Sequence, residues 1–86
     1  MIKEYKYKYK YSYTICTEFD EDIFIQQCNA LEKNVPYIVK GQFLHDVDDT
    51  KIQFYNISGK EVKVVNDFDI DAVYVDSDIE LTQFFK

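Results

Sequence analysis

Between Tyr5 and Cys16 the chain alternates without a break. Tyr5, Tyr7, Tyr9, Tyr11, Tyr13 and Ile15 take one parity; Lys6, Lys8, Lys10, Ser12, Thr14 and Cys16 take the other. A period of two, carried by aromatic and β-branched residues with no Gly or Pro, predicts a β-strand with a phenolic face and a cationic face. Fully extended, residues 3–16 would span roughly 45 Å, whereas a globule of this chain length is on the order of 30 Å across. The strand must therefore coil around a curved sheet or project beyond it.

After Thr17 the period changes. Phe24, Cys28 and Leu31 fall at i, i+4 and i+7, with Ile23, Gln27 and Ala30 beside them, which predicts a helix over residues 20–33. Thr17 or Asp20 can cap its start. Glu18, Asp20, Glu21 and Asp22 suit the positive end of the helix dipole and Lys33 the negative end; Asn34 and Pro36 stop the run. Residues 37–44 predict a second strand bent or bulged at Gly41, and Asp46-Val47-Asp48-Asp49 a turn. Residues 51–56 and 61–65 predict two more strands joined by a hairpin at Ser58-Gly59, and residues 70–75 a fifth. Residues 78–85 fit either a strand, through Ile79, Leu81 and Gln83, or a short helix capped by Asp76 or Ser77.

The order β-α-β-β-β-β predicts an α+β fold: a long N-terminal strand, one helix, then a curved, mainly antiparallel sheet of about four more strands, barrel-like in its curvature. Eighty-six residues make one small domain, 1–86. Residues 35–75 loosely resemble the Sm-like small barrel, through Gly41 in a bent strand, Asp46 or Asp48 in the turn, Asn56 closing the next strand and Ile70-Asp71-Ala72-Val73. The resemblance covers under half of the chain and implies a barrel shape, without the basic loop by which such a barrel would hold RNA.

Composition narrows the class. Apolar residues make up 47% and aromatics 17%, enough for a real core. The longest apolar runs are three or four residues, too short to span a membrane, and the first residues lack the apolar stretch of a secretory signal. A cytoplasmic protein with reduced Cys16 and Cys28 is the expectation. Cys28 falls on the apolar helix face as a small buried hydrophobe, Cys16 on the lysine face.

The net charge of −6 is unevenly spread. Residues 1–17 carry +3 and residues 18–86 carry −9, and every basic residue is Lys. Absence of the planar Arg fork weighs against phosphate recognition. The Lys, Ile, Asn, Tyr and Asp bias also fits an A/T-rich coding sequence, as in low-GC bacteria and their phages.

Catalytic chemistry is missing. His45 stands alone in the turn region, with no second His, no zinc-spaced Cys pair and no Gly-rich phosphate loop. Ser12, Ser58 and Ser77 lack a nucleophile-elbow context. Asp67-Phe68-Asp69-Ile70-Asp71 imitates the opening of a calcium loop, but Ala72 stands where Gly is required and Asp78 where a bidentate Glu is required. Asn56-Ile57-Ser58 reads as a turn, not as a glycosylation site. No enzyme activity, metal or cofactor is expected.

What remains is charge. Asp67, Asp69, Asp71, Asp76, Asp78 and Glu80 place six carboxylates in a short stretch without a Lys. On a strand, the first three would share a face at close to 7 Å spacing, similar in scale to phosphates along a nucleic-acid strand. The expected function is a non-catalytic protein-binding module, a small acidic inhibitor or adaptor docking on the basic groove of a nucleic-acid enzyme. Its type would be a phage anti-defence protein, such as an anti-CRISPR or anti-restriction DNA mimic. The alternative is a single-stranded nucleic-acid binder using Tyr7, Lys8, Tyr9, Lys10 and Tyr11, disfavoured by the net negative charge. A homodimer, pairing the +3 strand with a neighbour's acidic half, is compatible with both.

Overall fold

The computed structural model describes residues 9–84. The chain builds β1 (Tyr11–Cys16), α1 (Glu21–Asn34), β2 (Ile38–His45), β3 (Lys51–Ile57), β4 (Lys60–Asp67), β5 (Ala72–Ser77) and a 3₁₀ turn (Thr82–Phe84). All pairings are antiparallel and the strand order is β1-β5-β4-β3-β2. The α+β fold expected from periodicity is therefore present. Its sheet is open, with β1 and β2 as outer strands, and does not close into the barrel suggested by residues 35–75.

Local chemistry sets the boundaries. The Asp20 carboxylate accepts the Ile23 N–H at 3.0 Å as N-cap of α1, and the Val35 N–H bonds back to the Leu31 carbonyl at its end. Ser58 and Gly59 both take positive φ, 52° and 85°, as a tight hairpin turn requires, and Asn56 accepts the Gly59 N–H. Gly41 lies in the β2 bulge, where a Cβ would sit 3.3 Å from the Phe54 carbonyl oxygen. The buried Gln53 amide fills that bulge, donating to the carbonyls of Gly41, Gln42 and Phe54.

Alternation along β3, β4 and β5 gives the sheet an apolar face: Tyr55, Ile57, Val62, Val64, Val73 and Val75 pack under Phe24, Cys28 and Leu31 of α1. Burial of this kind contributes about 25 cal/mol per Å² of apolar surface. Leu81, fully buried, seals the side near β1, held by its N–H bond to the Tyr13 hydroxyl. No helix among the described residues is long and apolar enough to cross a membrane.

The N-terminal strand is present among the described residues as Tyr11–Cys16; its expected upstream part, with Tyr5, Lys6, Tyr7 and Lys8, lies outside them. Two expectations are corrected. A register shift between Thr14 and Cys16 brings Cys16 opposite Val73, so its side chain joins Ile15 against the core instead of the lysine face. The fifth strand starts at Ala72, not at residue 70. Asp67 Oδ1 accepts the N–H groups of Asp69 and Ile70, and Asp71 adopts φ 58°, so local aspartate hydrogen bonds override the strand propensity of Phe68 and Ile70.

Candidate docking surface

The aspartate row is the casualty of that turn. Asp67 ends β4, Asp69 and Asp71 lie in the β4–β5 turn, and Asp76, Asp78 and Glu80 belong to the other end of β5, roughly 20 Å away at strand rise. The six carboxylates thus do not form one line. Several have internal tasks: Asp67 also accepts from the Tyr74 hydroxyl, Asp71 from the Phe19 N–H, and Asp76 from the Ser12 hydroxyl. Asp69 and Glu80 are exposed, and Asp78 is half-buried.

The topology assembles a different acidic surface. In this antiparallel order the β1–α1 loop, the β2–β3 turn and the β4–β5 turn all emerge at one end of the sheet, together with the first turn of α1. Glu18 and Asp20 come from the first, Asp46, Asp48 and Asp49 from the second, Asp67, Asp69 and Asp71 from the third, and Glu21 and Asp22 from the helix. Lys51, 2.5 Å from Glu21, is the one lysine there among the described residues. Elsewhere in residues 9–84, Lys10, Lys33, Lys40, Lys60 and Lys63 balance Glu32, Glu61, Asp76, Asp78 and Glu80. Among the described residues, the net charge therefore sits at one pole.

That pole is tied together. The Phe68 N–H bonds to Thr50 Oγ1, the Phe19 N–H to Asp71 and the Asp20 N–H to Asn66 Oδ1, linking all three loops to the sheet. Phe19 and Phe68 meet edge to face at 5.4 Å, and Phe68, Ile70 and Val47 are exposed among the acids. Exposed apolar side chains therefore stand among the charged ones at this pole. Sequence reasoning missed the contribution of Glu18, Asp20–Asp22 and Asp46–Asp49, because these acids converge only through strand order. Their one legible signal was that none sits in a strand.

Of the alternative nucleic-acid residues, Tyr9, Lys10 and Tyr11 are described. Tyr7 and Lys8 lie outside the described residues. The Tyr9 hydroxyl donates to Glu61 at 2.7 Å and Lys63 sits 5.2 Å from its ring centroid, both on the face away from α1. Tyr11 stacks on Tyr13 at 6.4 Å on the helix side. Tyr9 and Tyr11 therefore do not share a platform for bases. His45 lies 3.3 Å from Asp49 at the end of β2, and no group of three metal-ligating side chains occurs among the described residues.

Three phenols are held neutral. Burial, then a carboxylate partner, raises Tyr9 beside Glu61, Tyr55 beside Glu32 and Tyr74 beside Asp67 well above the usual tyrosine value. Burial also pushes the Cys28 thiol up, away from a reactive thiolate. No known family model, curated protein or solved structure matches this chain.

Proposed function

We propose that the protein is a non-catalytic binding module whose acidic pole docks on a basic protein surface, as a small inhibitor or adaptor of a nucleic-acid enzyme. The observation that carries this reading is the convergence of ten carboxylates from three loops and a helix start onto one end. A field of one sign at one end raises the encounter rate with a cationic groove and orients the approach. The interlocked loops reduce the ordering cost of binding. Enzymes that grip nucleic acid present such grooves, so an anti-restriction or anti-CRISPR role in the host cytoplasm is the natural setting. The acids would compete as a charged patch, not as a phosphate-spaced line.

The test is surface plasmon resonance of the chain against purified restriction endonucleases and RNA-guided nucleases over a series of salt concentrations. The expected result is a complex that weakens steeply with salt, is displaced by DNA, and is lost in the Glu18→Lys, Asp69→Lys double variant. Binding to none of the panel, or binding indifferent to salt, overturns the proposal.

A further inference from the structure

The outer strand β2 is described along its whole length, as are the residues leading into and out of it. Its margin is open: Tyr37 is 86% exposed, Val39 61% and Phe43 49%, and Lys40, Gly41 and Gln42 are exposed between them. Every second N–H and C=O of an outer strand points away from its neighbour, a template for one more strand. Two devices guard this margin against an arbitrary strand, Lys40 and the bulge. The bulge is built in, since the Gln53 amide holds the Gly41 and Gln42 carbonyls. It also switches the faces of β2. Lys40, opposite Tyr55, and Phe43, opposite Gln53, lie on the helix face; Val39, opposite Asn56, and Leu44, opposite Ile52, lie on the other. β3 follows the switch only by setting Phe54 alone against Gly41 and Gln42 together.

We propose that β2 pairs with β2 of a second copy of this chain, antiparallel about a two-fold axis between Gly41 and Gln42. In that register Val39 meets Leu44 of the second copy on one face and Lys40 meets Phe43 on the other, and the symmetry makes each pair twice. Two bulge residues oppose two, so every side chain keeps its face without a slip in register. A regular strand would have to match the bulge as β3 does. The guards thus fit a strand that carries the same guards: the Lys40 stem can lie along the Phe43 ring with its ammonium over the face. Charge fixes the direction. β2 starts at the end of the sheet that carries Lys33 and Lys60 and finishes at the acidic pole, in the turn with Asp46, Asp48 and Asp49. The two-fold sets each acidic turn beside the other copy's lysine end, with the two acidic poles at opposite ends of a continuous sheet. Copies side by side in the same direction would bring the poles together and repel. The pairing does not depend on what the acidic pole binds.

Sedimentation velocity over a concentration series, with amide exchange measured on the same samples, tests the pairing. The expected result is a monomer–dimer equilibrium in which the β2 amides become protected as the dimer forms. Phe43→Lys sets a lysine against Lys40 of the other copy in two places. It should weaken the dimer roughly tenfold or more, with an unchanged circular dichroism spectrum. Adding Lys40→Glu to that variant restores association, because opposite charges then meet in the same two places. Val39→Lys, at the exposed pair with Leu44, serves if Phe43→Lys does not fold. A chain still monomeric at about 1 mM, a dimer whose β2 amides stay unprotected, a dimer that the folded variants leave intact, or a charge exchange that fails to restore it overturns the proposal.

Discussion

Gln53 shows how one side chain can hold a strand in an irregular shape. Its amide nitrogen reaches three carbonyls at 3.0, 3.2 and 2.9 Å, two of them in the β2 bulge. Leucine would keep much of the volume and leave those acceptors unmet. Gln53→Leu is expected to lower stability by about 2 kcal/mol, read as a shift in the urea midpoint. The three raised phenols make a second residue-scale prediction. The neutral form is favoured in the folded state, so the stabilising contribution of Tyr9, Tyr55 and Tyr74 is complete below the unfolded value of about 10. It is lost as pH climbs toward the raised folded values. The melting temperature should fall above about pH 10, and near-ultraviolet absorbance should show these phenols ionising only as the protein unfolds. Early titration of all the tyrosines would contradict the hydrogen bonds described.

Among the elements, α1 was the most legible because its signals are local: the cap, the first-turn acids and the 3.6 period all lie inside one window. Asp20→Ala removes the bond to the Ile23 N–H and should cost about 1 kcal/mol, measurable by chemical denaturation. The strands from Lys51 to Asp67 were legible for the same reason, since Asn56, Ser58 and Gly59 specify their turn. The start of β5 was misplaced because the competition between strand propensity at Phe68 and Ile70 and side-chain hydrogen bonding at Asp67 is decided by geometry, not by residue type. The pairing of β1 with β5 was not legible at all. Nothing in Tyr11–Cys16 names its partner, and the bulge that turns Cys16 inward depends on that partner being there.

At the scale of the whole molecule, the acids were visible in composition while their convergence was not, because it is a product of strand order. Ten carboxylates against Lys51 repel one another, and salt screens such repulsion beyond a Debye length of about 10 Å at 0.1 M. Moderate salt should therefore raise the melting temperature while it weakens the proposed docking. Asp69→Lys, in an exposed turn position, is expected to stabilise the fold by a few tenths of a kcal/mol and to weaken partner binding in the same protein. Opposite signs in the two measurements would separate a surface kept for recognition from one that is merely well hydrated. The strand order has a further consequence, in time. On a ribosome, β1 emerges before the other described strands, yet its strand neighbour among the described residues is β5, some sixty residues later. The helix and the β2–β4 meander can assemble during synthesis, while the opening strand waits for the last one to arrive before the sheet is complete.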